Sequence, residues 1–239
     1  MSREHWQQES ANWAAWARRP DFDEYWKYSQ AFFDLVPPPG IRTLEIGCGE
    51  GRVSRDLAAR GHRVSAVDAS KTLVRLARDA DPSGEYMIAD AAALPFAAES
   101  FDLVVFYNSL MDVDDMEGSV REAARVLRPG GKICACVTHP TADAGHFVSG
   151  EPDSSFIIEG TYLGDRRWFA MEAEREGLRM HFAGWAYSLE GYFGPLETAG
   201  LMVQAVREPR MADTETVRDP SKERWRRIPL YLMWRAIKP

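Results

Sequence analysis

The sequence is poor in cysteine, in excess positive charge and in long hydrophobic runs. Three cysteines in 239 residues make neither a disulfide framework nor a zinc site of four cysteines. No apolar run approaches the roughly 20 residues that a membrane span needs, and the first residues lack the hydrophobic segment of a signal peptide. We therefore expect a soluble, cytoplasmic protein with no metal site and no membrane contact.

The charge balance argues against a further class of partner. The formal net charge is -7 at pH 7, whereas nucleic-acid binders usually carry a basic stripe that releases counterions from the phosphate backbone. The one basic cluster, residues 222–227, is short, and we expect it to be a solvated connection. Nucleic acid is therefore not an expected partner.

The stretch from Thr43 to Arg52 organises the chain. A short apolar run leads into Gly47, Gly49 and Gly51 at alternate positions, which predicts a buried strand, a tight turn and a helix. Glycine accepts a positive φ and lets the backbone approach a ligand, and the following helix begins with free N–H groups. The turn predicts a site for a polar small molecule. Its spacing differs from the dinucleotide fingerprint, because Arg52 stands where the last glycine would fall.

Strands and helices alternate from residue 41 onward. The pattern predicts strands over 41–46, 62–68, 85–89, 101–107 and 132–138, with helices over 52–60, 70–79 and 115–127 between them. The strand at 101–107 is almost wholly apolar, as expected of a central strand covered on both faces. A helix at 189–199 and strands at 201–207 and 229–237 complete the series. The sequence thus predicts an α/β fold with a doubly wound, mostly parallel sheet.

Two segments outside this alternation are rich in aromatic residues. We divide the chain into an N-terminal helical lid (1–40), a core (41–138), a cap insertion after the fifth strand (139–188) and a C-terminal part of the core (189–239). The rings of the first segment are expected to pack against the sheet or against a second copy of the chain, as in a homodimer. Tyr25 and Trp26 are the candidates for a lid over a bound ligand.

Polar residues stand where the predicted strands end. Ligands bind beyond the carboxyl ends of the strands in sheets of this kind, near the switch point in strand order. Asp68 ends the second strand about twenty residues after the turn, where a carboxylate can accept both hydroxyls of a ribose. A helix N-cap is the alternative role, although Ser70 already offers one. Asp90 ends the third strand and Asn108 follows the fourth.

Five motifs in order carry a resemblance to a known family. The series LEIGCGEG (44–51), VD (67–68), ADAAALPF (89–96), FDLV (101–104) and VLRPGG (126–131) resembles the motif set of class I S-adenosylmethionine (SAM) dependent methyltransferases of the UbiE-like, small-molecule group. The resemblance covers about residues 41 to 138. It implies a Rossmann-like sheet of seven strands, SAM as the cofactor and S-adenosylhomocysteine as its product.

The resemblance also implies which residues contact the cofactor. The glycine turn would pass under the methionine part of SAM, and the acids after the second and third strands would hold its ribose and adenine. The implied set is Glu45, Gly47, Cys48 and Gly49 for the methionine part, Asp68 and Ala69 for the ribose and the adenine face, Asp90 and Ala91 for the adenine edge, and the backbone carbonyl of Asn108 for the amino-acid end.

The candidate catalytic residue is His139. Methyl transfer needs a general base only when the acceptor atom still carries a proton; otherwise positioning in a water-poor pocket suffices. His139 follows the fifth strand and its imidazole titrates near neutrality, although a capping histidine is an equal alternative. Family members often have a histidine pair after the fourth strand, where this chain has Met111-Asp112. Asp112 and His181 join Tyr25 and Trp26 as candidates for the substrate pocket.

Three functions remain open at this point. The motif series favours SAM-dependent methylation of a small, flat or apolar organic acceptor in a closed aromatic pocket, with oxygen, nitrogen and carbon all open as the acceptor atom. An NAD(P)-binding oxidoreductase could use the same turn and Asp68. A non-catalytic SAM-binding module would bind the cofactor but have its acceptor cavity closed by Trp or Phe rings.

Overall fold

The computed structural model of the chain describes residues 1–164 and 166–239, with all of their side chains except those at 214, 216 and 217. Its strands are β1 (Thr43–Ile46), β2 (Val64–Asp68), β3 (Glu85–Ile88), β4 (Phe101–Tyr107), β5 (Leu127–Thr138), β6 (Gly145–Phe147), β7 (Phe156–Ile158), β8 (Arg167–Arg175), β9 (Leu178–Ala186), β10 (Met202–Arg207) and β11 (Tyr231–Ile237). Its α-helices are α1 (Ser2–Ala17), α2 (Tyr25–Phe33), α3 (Arg52–Ala59), α4 (Lys71–Ala80), α5 (Met116–Val126), α6 (Pro140–Asp143), α7 (Leu189–Thr198) and α8 (Asp213–Arg218).

A seven-stranded sheet in the order β10-β11-β5-β4-β1-β2-β3 forms the centre of the molecule. The five strands from β5 to β3 in this order pair in parallel, while β11 is antiparallel to β5 and β10 to β11. The prediction of a doubly wound, mostly parallel sheet of seven strands is confirmed. The chain passes from β1 to one side of the sheet and later returns to β4 on the other, so the switch point lies between β1 and β4.

Helices cover both faces of the sheet because successive side chains of β4 point to opposite faces. Phe106 packs with residues of α5 and α7 on one face, and Val105 and Tyr107 pack with residues of α2 and α3 on the other. All three side chains are buried, which explains why this strand is apolar along nearly its whole length. In the described part of the chain, no helix is long and apolar enough to cross a membrane.

Local sequence signals set the ends of the elements around the sheet. The Ser70 hydroxyl accepts from the Leu73 N–H at 3.3 Å and begins α4, and Gly61, with φ +90°, follows the end of α3. The strand β4 has the same bounds as its prediction, and the other strands of the sheet begin or end within a few residues of theirs. The core therefore follows from local patterns.

The segment predicted as a cap contains a long β-hairpin. Strands β8 and β9 pair antiparallel through the two residues Glu176 and Gly177, whose φ angles of +49° and +77° suit a tight hairpin turn. Helix α1 lies along β9, and Trp16 packs with Phe22 and the fully buried Met180 between them. The N-terminal rings thus pack within their own chain; the homodimer stays a prediction.

Candidate functional site

The glycine turn is a backbone cradle that a side chain would fill. Gly47, Gly49 and Gly51 have φ angles of +75°, +56° and +85°, which L-residues rarely adopt. A Cβ on Gly47 would lie 2.9 Å from the Ser109 hydroxyl, and one on Gly49 would lie 3.2 Å from the Trp13 indole nitrogen. The predicted strand, turn and helix are all present, and the open cradle suits a ligand such as SAM.

Two carboxyl groups flank the cradle. Glu45, at the end of β1, is only 1% exposed and accepts a hydrogen bond from the Ser54 hydroxyl; burial raises its pKa to about 8. Asp68 accepts from the N–H groups of Gly49 and Ser70, each at 2.8 Å, while burial raises its pKa. A carboxylate has about four acceptor sites, so Asp68 can brace the turn and still accept from a ribose.

Asp90 and Asn108 occupy the neighbouring strand ends. Asp90 accepts from the Ala92 N–H at 2.9 Å and forms an ion pair with Arg3 of α1 at 3.3 Å. Asn108 adopts a left-handed φ of +49°, and its N–H donates to the Cys136 carbonyl at 2.8 Å. The structure brings the whole predicted cofactor set into the lining of one cavity, namely Glu45, Gly47, Cys48, Gly49, Asp68, Ala69, Asp90, Ala91 and Asn108.

This cavity has a volume of about 660 Å³ and continues from the sheet edge beneath α1 and the hairpin. Trp6 and Trp13 of α1 line it on one side and Phe169 and Phe182 of the hairpin on another. Small-molecule sites typically measure about 300–1,000 Å³ and are mostly apolar with a few polar groups. The cavity therefore has a polar floor at the strand ends and an aromatic roof.

Ion pairs hold the N-terminal segment against the glycine turn. The guanidinium of Arg52 donates to both carboxylate oxygens of Asp23, at 3.2 and 2.7 Å, and to the Ala17 carbonyl at 2.8 Å. Both side chains of this pair are 14% exposed. Arg18 pairs with the buried Glu50 of the turn at 3.0 Å. These contacts place the end of α1 directly above the cradle.

The other predicted pocket residues divide into two groups. Tyr25 lines the cavity with its hydroxyl bonded to Asp56, and Asp112 also lines it. Trp26 is 45% exposed, and the ring of His181 lies 3.3 Å from a carboxylate oxygen of Glu9 and 3.0 Å from one of Glu172, on the outer side of the hairpin. Neither Trp26 nor His181 lines the cavity.

His139 lies outside the cavity lining and acts as the N-cap of α6. Its Nδ1 accepts from the Thr141 N–H at 3.0 Å, and its Nε2 lies 2.9 Å from a carboxylate oxygen of Glu208. Burial lowers the pKa of the imidazole, partly offset by Glu208. His139 therefore has the geometry of a capping residue. Both of its ring nitrogens already contact protein groups, so neither is free to contact a methyl acceptor.

The sheet order and the glycine cradle are those of the Rossmann-like domain of class I methyltransferases. Comparison with known proteins agrees with this class. Residues 44–135 match the family model Methyltransf_11, a methyltransferase domain. A demethylmenaquinone methyltransferase of Renibacterium salmoninarum is 36% identical over 104 residues, 43% of this chain and 44% of that protein. A malonyl-[acyl-carrier protein] O-methyltransferase of Salmonella typhimurium is 39% identical over 90 residues, 38% and 36% of the two chains.

The fold extends beyond the matched sequence. The crystal structure of a SAM-dependent methyltransferase from Mesorhizobium loti superposes with a TM-score of 0.71 at 23% identity, covering 90% of this chain and 98% of that one. The chain spans less than half the length of the two curated relatives. Residues 44–135 therefore carry a methyltransferase domain, in agreement with the UbiE-like resemblance, and the solved structure shows that the fold is shared.

Proposed function

We propose that the protein transfers the methyl group of SAM to a small organic acceptor inside the aromatic cavity. One observation carries the proposal: the cradle and the aromatic chamber are parts of a single cavity. A cofactor on the cradle and an acceptor under the roof would share one space. Holding two reactants together in this way is the main contribution that an enzyme makes to such a displacement.

The residues of the chain bind, orient and exclude water. The cradle at Gly47 and Gly49 admits the methionine part of SAM, Glu45 offers a carboxyl to its ammonium group, and Asp68 and Asp90 offer acceptors to its nucleoside. When bound, SAM would supply the methyl group on its sulfonium sulfur, which an acceptor atom would take by in-line displacement, breaking the S–CH3 bond and leaving S-adenosylhomocysteine. The rings of α1 and the hairpin keep water from that region.

The aromatic roof over the acceptor side of the cavity belongs to segments outside the family match. The match covers residues 44–135, whereas the roof comes from α1, before residue 44, and from the hairpin, after residue 135. What the relatives methylate therefore gives no guide to the acceptor here. The lining itself favours a flat, apolar molecule that packs against Trp6, Phe169 and Phe182.

Two alternatives fit the structure less well. A non-catalytic SAM-binding module would have its acceptor space closed by rings, whereas this cavity continues from the cradle beneath α1 and the hairpin. For an NAD(P)-binding oxidoreductase, the third glycine position is Arg52, whose side chain is held by Asp23 across the turn. Methyl transfer is the function that the geometry supports best.

Calorimetry and mass spectrometry test the proposal together. Purified protein is titrated with S-adenosylhomocysteine and, as a control, with NADH; we expect saturable binding of the first alone. The protein is then incubated with SAM and a panel of aromatic amines, phenols and quinols, and products heavier by one methylene group are sought. Absence of S-adenosylhomocysteine binding would refute the proposal.

A further inference from the structure

Asp112 is a carboxyl group in the aromatic part of the cavity. It ends the short 3-10 helix after β4 (Leu110–Asp112) and lines the cavity beside Met111. A Cβ built on Gly184 of β9 would lie 2.6 Å from its Oδ1, so the hairpin closes over it. Trp6 of α1 lines the same cavity, and its buried indole N–H has no hydrogen-bond partner in the described part of the structure. The carboxyl therefore lies between the two halves of the roof.

The cations around the cavity are engaged elsewhere. Among the described lining residues the positive side chains are Arg3, Arg52 and Arg175. Arg3 pairs with Asp90, and Arg52 pairs with Asp23. Arg175 donates to the Asp21 carbonyl and lies 5.7 Å from the ring centre of Trp16. In the part of the chain that the structure describes, no ion pair is formed by Asp112.

A carboxyl group in this position can avoid carrying an unpaired charge in two ways. It can take up a proton, and burial does raise the pKa of Asp112 well above its ordinary value, with Trp6 opposing the shift and Asp68 and Asp143 adding to it. It can also stay ionised beside a cation that a ligand brings. An anionic ligand would not be stabilised here, because it would be repelled by the Asp112 carboxylate and the lining arginines are already paired with other groups.

The surrounding rings favour the cationic ligand. Trp6, Trp13 and Phe182 form an edge-to-face series with centroid separations of 5.9 and 6.3 Å, and all three line the cavity. The faces of indole and phenyl rings attract ammonium groups, most strongly where water is excluded. A carboxyl group beside such rings is an arrangement that binds an alkylammonium group.

We propose that the methyl acceptor is a flat, apolar molecule with a basic amine, bound through an ion pair between its ammonium group and Asp112. The inference rests on the proposed function, since it names the substrate class for the same cavity. Asp112 would also take one proton from the ammonium group, which leaves a neutral carboxyl and an amine nitrogen with its lone pair free. The acceptor atom would then be nitrogen.

A matched series of small probes tests the inference by binding alone. The protein is first saturated with S-adenosylhomocysteine and then titrated with 2-phenylethylamine, 2-phenylethanol and phenylacetate, which share a ring and differ in charge. We expect the amine to bind at least about tenfold more tightly than the alcohol and phenylacetate more weakly than either. In the Asp112→Asn variant the amine and the alcohol should bind within about twofold of each other.

The control removes one carboxylate outside the cavity. Glu172 is an exposed acid on the outer side of the hairpin, so the Glu172→Gln variant should keep the preference for the amine. Retained preference in Asp112→Asn, or equal binding of all three probes to the unmodified protein, would overturn the inference. Failure of S-adenosylhomocysteine to bind the unmodified protein would instead overturn the proposed function, so the two failures are distinguishable.

Discussion

Replacing Arg52 with methionine should destabilise the contact between the N-terminal segment and the core. The substitution removes the paired hydrogen bonds to Asp23, the bond to Ala17 and a guanidinium that lies 3.9 Å from the Tyr25 ring centre. It leaves Asp23 buried without its cation. Breaking a buried pair in this way costs about 3 kcal/mol, which for a chain of this size lowers Tm by roughly 6–12 °C.

The penalty should depend on pH. Burial already raises the pKa of Asp23 above its ordinary 3.8, and Arg52 opposes that shift. Without Arg52 the pKa rises further, so the folded variant keeps a proton that the unfolded chain releases above about 3.8. The free energy of unfolding of the variant therefore falls as the pH rises from about 3.8 toward the raised pKa of Asp23 in the folded state. We expect Arg52→Met to lose more stability at pH 8 than at pH 5, each relative to the unmodified protein.

Thermal denaturation at the two pH values measures both effects. Arg18→Met is the matched control, because Arg18 is 44% exposed and Glu50 keeps a second partner in Arg55; its loss should be below about 1 kcal/mol. A decrease in Tm for Arg52→Met that is the same at pH 5 and pH 8, or no larger than the control's, would refute the assignment of a buried ion pair.

Three further predictions concern the cradle and its neighbours. Gly49→Ala should lower the free energy of unfolding by roughly 1–2 kcal/mol, because the φ of +56° suits an alanine poorly. The new methyl group should also displace Trp13 and weaken S-adenosylhomocysteine binding in calorimetry. Gly130→Ala is the control, since Gly130 also has a positive φ but open surroundings, and it should leave binding unchanged. Glu45 has a pKa of about 8, so it must lose a proton before it can pair with the ammonium group of the ligand. The affinity for S-adenosylhomocysteine should therefore rise by up to about tenfold for each pH unit as the pH increases toward 8. The same rise in a Glu45→Gln variant would contradict this. His139→Ala should lose about 1 kcal/mol of stability as a cap and keep its turnover in a methylation assay, whereas selective loss of turnover would return it to the role of base.

The parts of the fold and site that could be predicted depend on local signals. Strand ends, glycine positions and the caps at Ser70 and Gly61 involve residues a few positions apart, so a single sequence reveals them. The residues of the predicted cofactor set line one cavity because parallel strands place their carboxyl ends at one edge of the sheet. Of the two roles weighed for Asp68, the N-cap of α4 belongs to Ser70. Asp68 accepts from the N–H groups of Gly49 and Ser70 and lines the cavity, and its contact with a ribose stays a prediction.

Other residues could not be placed because their partners lie far along the chain. His139 is bonded to Glu208, 69 residues away, and the pairing of Arg52 with Asp23 joins a helix of the core to the N-terminal segment. Tyr25 lines the cavity and Trp26 does not, because neighbouring residues on a helix point about 100° apart. The hairpin did leave a signal, in that Glu176-Gly177 separates two apolar-rich runs, 167–175 and 178–186, whose residues next to the turn alternate between apolar and polar. Those runs supply Phe169 and Phe182, which sequence reasoning did not assign to the cavity.

The packing of α1 on the hairpin also has a consequence for biosynthesis. Arg19, just after α1, pairs with Glu176 in the hairpin turn, 157 residues later. At about 5–20 residues per second, the ribosome needs roughly 8 to 30 s to make that interval. During this time the three tryptophans of α1 lack the strand β9 against which the helix packs. The nascent chain is therefore expected to make the strands that line the nucleoside side of the cavity first, and to exclude water from the reaction chamber only after the hairpin has been synthesised.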